Sequence, residues 1–401
     1  MERIVIIGAG QAGVQAVATL RAEGFDGALT MIGEEPYPPY QRPPLSKAYL
    51  AGDFARERLF LKPDSFYGEI RCDLRLRMAA KSIDRAAKTV HLSDGMVLSY
   101  DRLLLTTGAR VRKVPVPGAD LPGVHYLRGI EDVDSLRPHF HAGARLAIVG
   151  GGYIGLEVAA VAVKFGLDVT VVEAADRVMA RAASPQLSAF YEHEHHAHGV
   201  KFQLGAMAEA FEGSAKVEAV KTNLGRTVAD FVLAGIGVVP NCELAREVGI
   251  VCDNGIAVDE FATTSDPDVF AAGDCTSHPA FAGGRARLES VQNAIDQAKH
   301  AALAMLGQKI PYHEVPWFWS DQYDLKLQIA GLARSGDLTV LRGNPEARKF
   351  SVFHLRDGVV AAVEAVNAAP DYIIGRKLIA VRARIAPERL GDVAVPIKSF
   401  I

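Results

Sequence analysis

The sequence has little of several features that mark other classes of protein. Its 401 residues include only four cysteines, Cys72, Cys242, Cys252 and Cys275, and none is spaced as C-x-x-C or C-x4-C. This scattered spacing predicts neither a zinc ribbon nor a local redox-active disulfide, and we expect no metal site. Few cysteines in a chain of this length indicate a reducing compartment, so we expect a cytoplasmic location.

Long hydrophobic runs and a strong excess of one charge sign are also missing. The long apolar stretch at residues 146–163 contains Glu157 and four glycines, which favours a buried strand, turn and helix over a bilayer span. The apolar run at residues 4–7 is too short for a signal peptide. The net charge of -3 gives no general attraction to nucleic acid or to an anionic membrane.

The composition that remains is that of an ordinary globular protein. Hydrophobic residues make up 49% of the chain and charged residues 23%, which excludes wholesale disorder. Because domains usually contain about 100 to 200 residues, the length favours more than one domain, and we expect three.

One pattern occurs twice along the chain. In each copy a β-branched run leads into a G-x-G-x-x-G turn, a helix-like segment and a second apolar run that ends near a glutamate. The copies occupy residues 3–34 and 146–173. Each is typical of a β-α-β dinucleotide-binding unit, so the sequence predicts an α/β protein with two Rossmann-like domains.

The glycines and the acidic residue of each copy have separate physical tasks. The glycines permit a sharp turn, close approach of a pyrophosphate and tight packing of helix on strand, while the carboxylate accepts hydrogen bonds from a ribose. Glu34 follows Gly13 by 21 residues and Glu173 follows Gly155 by 18, near the spacing of about 20 that this role requires. A glycine turn without a ligand is the alternative for each copy.

Further segments carry a more specific resemblance. These segments are residues 39–47 (PYQRPPLSK), 107–108 (TG), 269–274 (VFAAGD), 287–291 (RLESV) and 316–322 (PWFWSDQ). With them, nearly the whole chain resembles the putidaredoxin reductase-like family of FAD-dependent NADH:ferredoxin reductases that serve bacterial oxygenases. It is also similar to rubredoxin reductases and to apoptosis-inducing factor.

The resemblance implies a glutathione reductase-like arrangement of domains. We expect a discontinuous FAD-binding domain at residues 1–108 and 242–314, and an NAD-binding domain at residues 109–241. A carboxy-terminal α+β domain at residues 315–401 would cover the flavin.

The resemblance also implies roles for individual residues. Lys47 and Glu157 would form an ion pair beside the flavin and the nicotinamide, and they are the candidate catalytic residues. The candidate FAD-binding residues are Gly8, Gly10, Ala12, Gly13, Glu34, Arg42, Lys47, Thr107, Gly108, Asp274, Val291 and Trp319. The candidate NAD-binding residues are Gly150, Gly152, Tyr153, Ile154, Gly155, Glu173, Arg181, Gly235, Ile236 and Glu289.

Plainer interpretations of several of these residues remain open. Arg42 and Lys47 could belong to a solvated basic loop, and Trp319 could simply pack in a core. Glu157 lies on an otherwise apolar helix, where a buried carboxylate is costly unless it is paired, but it could also lie at the edge of the core. Asp274 could be the N-cap of a helix that begins near Cys275.

Two other signals predict less than they suggest. The four histidines at positions 193, 195, 196 and 198 miss the H-E-x-x-H spacing, because position 197 is alanine, and we expect them on the exposed side of a helix that ends at Gly199. Cys275 has no neighbouring thiol in sequence, so we expect an inert buried cysteine.

The function implied by the resemblance is electron transfer. NADH would reduce FAD, and the flavin would reduce an acidic 2Fe-2S ferredoxin that supplies a cytochrome-type monooxygenase or a ring-hydroxylating dioxygenase. We expect neither a nucleic-acid nor a membrane partner. The alternatives are a rubredoxin reductase, an NADH-responsive flavin-bound redox sensor, and a disulfide or coenzyme A-disulfide reductase. A disulfide reductase would need an active cysteine in the loop at residues 42–47, and that loop contains no cysteine.

Overall fold

The protein is described by a computed structural model that covers residues 2–401. In chain order its strands are β1 (Arg3–Ile7), β2 (Ala28–Ile32), β3 (Cys72–Arg75), β4 (Ala80–Asp84), β5 (Thr89–Leu92), β6 (Val97–Ser99), β7 (Arg102–Leu105), β8 (Ala109–Val111), β9 (Val124–His125), β10 (Arg145–Val149), β11 (Asp168–Glu173), β12 (Lys201–Leu204), β13 (Ala208–Glu212), β14 (Ala219–Thr222), β15 (Gly225–Val228), β16 (Phe231–Ala234), β17 (Val238–Pro240), β18 (Ile256–Ala257), β19 (Val269–Ala271), β20 (Thr276–Pro279), β21 (Arg285–Ala286), β22 (Trp317–Gln322), β23 (Leu325–Gly331), β24 (Leu338–Asn344), β25 (Lys349–Arg356) and β26 (Val359–Val366).

The α-helices are α1 (Gln11–Ala22), α2 (Ser65–Glu69), α3 (Ile130–Leu136), α4 (Tyr153–Lys164), α5 (Pro185–Ala197), α6 (Glu243–Glu247), α7 (Val291–Met305), α8 (Ala369–Ala380) and α9 (Pro387–Gly391). Short 3-10 helices lie at Pro43–Ser46, Arg56–Leu59, Arg137–His139 and Ile397–Phe400. Within residues 2–401, none of the helices combines the length and the apolar character that a bilayer span needs.

The chain divides into two compact units. The first unit comprises residues 2–41, 56–110 and 239–316, and the second comprises residues 42–55, 111–238 and 317–401.

The first unit is built around a parallel sheet in the strand order β19-β7-β1-β2-β3. Side chains of β1 alternate between its two faces. Ile4 and Ile6 pack in a cluster with α1 and α7, and Val5 and Ile7 pack in a second cluster. Burial on both faces explains why this strand is a continuous apolar run.

The second unit repeats the design with a parallel sheet in the order β12-β11-β10-β16-β9. The unit also contains an antiparallel sheet in the order β22-β23-β26-β25-β24. Helix α8 lies against this sheet so closely that a Cβ atom on Gly375 would lie 2.7 Å from the side chain of Val363. One apolar cluster joins Leu156 of α4 and Tyr191 of α5 to Leu327 of this sheet. The predicted fold class, two Rossmann-like sheets and a carboxy-terminal α+β region, is confirmed.

Candidate functional site

The first glycine turn lies in the first unit, between β1 and α1. Gly8 has a φ of +117°, and a Cβ atom there would lie 2.1 Å from the carbonyl oxygen of Thr106. A Cβ on Gly13 would lie 2.2 Å from the carbonyl oxygen of Gly8. Gly10, by contrast, precedes the first helical residue and has no atom within 4 Å of its would-be Cβ. The turn therefore offers open space and backbone N–H groups where a pyrophosphate would bind.

The residues that follow β2 and β7 border the same sheet edge. Glu34 is exposed just beyond β2, while Glu35 accepts a hydrogen bond from the hydroxyl of Tyr40. Thr107 donates its hydroxyl to the carbonyl oxygen of Asn241 at 2.5 Å, and the Asn241 amide donates to the Thr107 carbonyl oxygen at 2.9 Å. These two bonds fix the segment that carries Gly108, whose φ is +64°.

Asp274 follows β19 in the same unit and is half-buried. The N–H of the preceding Gly273 donates to Gln297 Oε1 at 2.8 Å, and a Cβ on Gly273 would lie 3.3 Å from Cβ of Ala12. The alternative that Asp274 caps a helix near Cys275 is wrong, because Thr276 begins a strand there. The next helix along the chain is α7, which begins at Val291 and is capped by the hydroxyl of Ser290.

The second glycine turn lies in the second unit, between β10 and α4, and has the same form. A Cβ on Gly150, whose φ is +109°, would lie 2.4 Å from the Gly235 carbonyl oxygen, and one on Gly155 would lie 2.3 Å from the Gly150 carbonyl oxygen. Gly152 has no atom within 4 Å of its would-be Cβ. A pyrophosphate can therefore approach the N-terminus of α4 just as it can that of α1.

Glu173 ends β11 beside this turn. Its carboxylate accepts hydrogen bonds from the N–H of Gly151 at 2.6 Å and from the N–H of Ala175 at 2.8 Å. These bonds hold a negative charge next to the glycines, in the place that suits a ribose and opposes an additional phosphate.

Four other candidate NAD-binding residues lie in the second unit. Tyr153 begins α4, and its ring lies 4.6 Å from that of Phe318 between centroids. Ile154 and Arg181 are exposed, and Ile236 packs at the edge of an apolar cluster.

A buried ion pair lies in the second unit. Lys47 Nζ is 2.9 Å from Glu157 Oε2, and their side chains are only 20% and 5% exposed. The hydroxyls of Ser46 and Ser320 also donate to this carboxylate, the latter to Oε1 at 2.6 Å. Three donors thus surround Glu157, which offsets the cost of burying its charge on an apolar helix.

Strand β22 presents two different faces around this pair. Trp317 and Trp319 share one face, with ring centroids 5.7 Å apart. Phe318, Ser320 and Gln322 form the other face, where they contact Tyr153, Glu157 and His195 in turn. The strand alternation thus separates the two tryptophans from a face on which Phe318, Ser320 and Gln322 contact α4 and α5.

The prediction that the histidine-rich segment lies on an exposed helix side is partly wrong. His193, His196 and His198 are exposed, but His195 is fully buried. His195 Nε2 lies 2.8 Å from Gln322 Oε1, and its Nδ1 lies 2.8 Å from the hydroxyl of Tyr323. These long-range partners make burial of the ring possible, and burial lowers the pKa of His195 to about 4.

The candidate residues are divided between the two units. Among the candidate FAD-binding residues, Arg42, Lys47 and Trp319 belong to the second unit. Arg42 donates to the carbonyl oxygen of Arg128 at 2.7 Å within that unit. Among the candidate NAD-binding residues, Glu289 belongs to the first unit, where it pairs with Arg287.

Several residues that hold these sites together are not among the candidate residues predicted from the sequence. They are Ser46, Thr106, His195, Asn241, Ser320, Gln322 and Tyr323. Ser320 and Gln322 stand two residues apart and out of phase with the tryptophans, which was a usable signal for polar side chains on one strand face. Nothing local in the sequence indicates the contacts of Asn241 or His195.

Comparisons with known proteins agree with this geometry. The family model described as pyridine nucleotide-disulphide oxidoreductase matches residues 2–298, and the model described as reductase C-terminal matches residues 317–401. The rhodocoxin reductase of Rhodococcus erythropolis is 46% identical over 99% of this chain and 94% of its own length. Putidaredoxin reductase CamA of Pseudomonas putida is 42% identical over 100% of this chain and 97% of its own length.

A solved structure extends the likeness to three dimensions. The reductase chain of the covalent putidaredoxin reductase–putidaredoxin complex superposes with a TM-score of 0.96 at 41% identity, covering 100% of this chain and 98% of that one. The resemblance predicted from the sequence is confirmed. The chain therefore belongs to the pyridine nucleotide-disulphide oxidoreductase family, in the putidaredoxin reductase-like branch that carries the reductase C-terminal domain.

Proposed function

We propose that this protein is an FAD-dependent oxidoreductase that takes hydride from NADH and passes single electrons to a 2Fe-2S ferredoxin. The observation that carries the proposal is the pair of glycine turns, each with an open middle glycine at the N-terminus of a helix. Two such turns suit two dinucleotides. The full-length similarity to the reductase of the putidaredoxin complex supports a ferredoxin as the partner.

Each dinucleotide has its own set of residues in this proposal. The turn at Gly8, Gly10, Ala12 and Gly13, with Glu34, Thr107, Gly108, Asp274 and Val291, would hold FAD, and Arg42, Lys47 and Trp319 would complete its site. The turn at residues 150–155, with Glu173, Arg181, Gly235, Ile236 and Glu289, would hold NADH. The proposal keeps an FAD domain at residues 1–108 and 242–314, an NAD domain at 109–241 and a carboxy-terminal domain at 315–401.

The chain would contribute position and charge, not acid-base catalysis. Bound FAD accepts two electrons as a hydride and can release them singly, which links a two-electron donor to a one-electron acceptor. The two helix N-termini would orient the pyrophosphates, and Glu173 would select NADH by opposing a 2′-phosphate. Lys47 and Glu157 would supply a fixed, largely dry charge pair, which matters because hydride transfer depends mainly on positioning and local electrostatics.

The partner in this proposal is an acidic ferredoxin that serves an oxygenase. A ring-hydroxylating dioxygenase or a cytochrome-type monooxygenase would be the final electron acceptor. Biphenyl and anthranilate dioxygenase reductases, at 38% and 42% identity over nearly the whole chain, support the first type of system. Neither nucleic acid nor a membrane has a part in the proposal, and the cytoplasmic location stays a prediction.

The state of the cysteines argues against a disulfide reductase. All four thiols are free. Burial raises the pKa of Cys275 to about 11 and that of Cys72 to about 12, and the pKa of Cys252 is raised to about 11 for the same reason. Since the thiolate is the reactive form, these residues suit packing better than disulfide exchange. A rubredoxin reductase and an NADH-responsive redox sensor remain the alternative functions.

One experiment separates the candidates. The purified flavoprotein is first reduced by NADH in a stopped-flow instrument, and steady-state turnover is then measured with a panel of 2Fe-2S ferredoxins, a rubredoxin and coenzyme A disulfide. We expect rapid flavin reduction and turnover that depends on ferredoxin. Turnover with rubredoxin alone, or with the disulfide alone, would contradict the proposal. Reduction by NADH with no acceptor-dependent turnover would favour the sensor.

A further inference from the structure

A line of hydrogen bonds runs from the surface of the second unit to the buried carboxylate of Glu157. The hydroxyl of Tyr323 lies 2.8 Å from His195 Nδ1, and His195 Nε2 lies 2.8 Å from Gln322 Oε1. Gln322 Nε2 lies 3.2 Å from Ser320 Oγ, which lies 2.6 Å from Glu157 Oε1. The three inner groups, His195, Gln322 and Ser320, are each at most 1% exposed. We call these five residues the donor string.

The direction of the donor string is fixed by its inner end. An ionised Glu157 only accepts, so the single hydroxyl proton of Ser320 must point to it. Ser320 Oγ can then only accept from Gln322, which places the Gln322 amide nitrogen toward the serine and its oxygen toward His195. A reversed amide would set two acceptors against each other, at a buried position where that is costly.

The orientation of Gln322 also determines the tautomer of His195. Because Gln322 presents its oxygen, His195 must carry its proton on Nε2, and Nδ1 must accept from the Tyr323 hydroxyl. A neutral ring is consistent with burial, which lowers the pKa of His195 to about 4, and burial also raises the pKa of Tyr323, so its hydroxyl keeps its proton. Every donor in the string therefore points toward Glu157.

We propose that His195 and Gln322 are positioning residues for Glu157, which act through Ser320 to hold the carboxylate in its orientation toward Lys47. Aligned hydrogen bonds polarise one another, so the string directs partial positive charge toward Oε1 while Lys47 and Ser46 occupy Oε2. Gln322 contains an amide, so the string orients charge and does not conduct protons. The catalytic consequence rests on the proposed function, whereas the string itself does not.

The first test measures the string without any turnover. In the holoenzyme labelled with 15N-histidine, the His195 signal is identified by its loss in His195→Phe, and its nitrogen shifts report which ring nitrogen carries the proton. We expect the Nε2–H form. In Ser320→Ala the Gln322 amide is free to turn, and we expect a mixture of both neutral forms. An Nδ1–H ring in the unmodified protein, or a pure Nε2–H ring in Ser320→Ala, would overturn the proposal.

The second test asks whether the string affects hydride transfer. In single-turnover reduction by NADH, Gln322→Leu should lower the limiting rate constant about tenfold while the dissociation constant of NADH changes less than about threefold. Ser320→Ala, a smaller change, should act in the same direction. Thr227→Val is the matched control, because it removes a partly buried hydrogen bond of the same unit, to Gln203 at 2.9 Å, outside the string.

The outcomes distinguish the string from the proposed function. If both string variants reduce at the rate of Thr227→Val and differ only in FAD content or thermal stability, the string is merely structural and the proposal fails. If NADH does not reduce the unmodified protein at all, the proposed function fails, while the histidine spectrum still decides whether the string exists.

Discussion

The Lys47–Glu157 pair gives the most direct prediction about activity. Lys47→Met keeps much of the side-chain volume but removes the ammonium, and the hydroxyls of Ser46 and Ser320 would still donate to Glu157. The negative charge left behind would oppose the arrival of an electron pair next to it. We therefore expect slower flavin reduction by NADH with FAD largely retained.

The burial of the pair sets the size of this effect. Breaking a fully buried ion pair costs about 3 to 5 kcal/mol, and an exposed pair contributes less than about 1 kcal/mol. Because Lys47 is one-fifth exposed and Glu157 is almost fully buried, we take the cost of breaking this pair to be about 2 to 3 kcal/mol. Only the part of this energy that differs between the ground state and the transition state changes the rate. Since about 1.4 kcal/mol corresponds to a factor of ten, the limiting reduction rate should fall by up to about 150-fold.

Two further variants make the test decisive. Lys201→Met removes an ammonium that pairs with Asp168 at 2.8 Å on the surface of the same unit, with side chains 63% and 47% exposed, and should change the rate less than about twofold. Lys47→Met combined with Glu157→Gln leaves no uncompensated charge and should recover much of the loss. Equal limiting reduction rates in Lys47→Met and Lys201→Met would refute the role of the pair. So would a double variant whose rate falls by more than the product of the two single-variant reductions.

Three other predictions address coenzyme choice, stability and docking. Glu173→Ala should raise the KM for NADH and relax the rejection of NADPH; equal use of both coenzymes by the unmodified protein would end this assignment. Burial lowers the pKa of His195 and His278 to about 4, below the 6.5 of a free histidine, so between pH 4 and pH 6.5 the unfolded chain binds more protons than the folded protein. The free energy of unfolding measured in urea should therefore be about 2 kcal/mol lower per histidine at pH 5 than at pH 7, and an unchanged urea midpoint would contradict this prediction. Reversing the exposed charges in Lys299→Glu with Lys326→Glu should raise the KM for ferredoxin and flatten its salt dependence while NADH reduction stays the same; an unaltered ferredoxin KM would place the docking surface elsewhere.

Local patterns predicted the two β-α-β units well. The two copies predicted at residues 3–34 and 146–173 each fold as a strand, a helix and a second strand, namely β1, α1 and β2 in the first copy and β10, α4 and β11 in the second. Here the spacing of apolar residues, the glycine turn and the burial of both sheet faces all favour the same strand-turn-helix-strand structure. The burial of Glu157 could also be suspected, because a lone carboxylate on an apolar helix needs partners.

Contacts between distant segments could not be predicted in the same way. The sequence placed His195 among several surface histidines. In the structure its ring is buried and hydrogen-bonded to Gln322, which lies 127 residues away along the chain. The segment after Asp274 looked able to start a helix, but it pairs as a strand, with Thr276 beside Ile256. In both cases a tertiary partner outweighs the local preference, and neither partner is marked by spacing in the sequence.

The donors to Glu157 come from two chain segments that lie far from it in sequence, one at residues 46–47 and one at residue 320. Ser46 and Ser320 are 111 and 163 residues from the glutamate along the chain, on opposite sides of it. During synthesis α4 leaves the ribosome long before Ser320 does, so the carboxylate cannot obtain its full set of partners until the last fifth of the protein has emerged. Contacts this distant also close large loops and slow folding. The charge pair would thus be completed late, and a chain that ends before β22 would fold with its buried carboxylate lacking one of its donors.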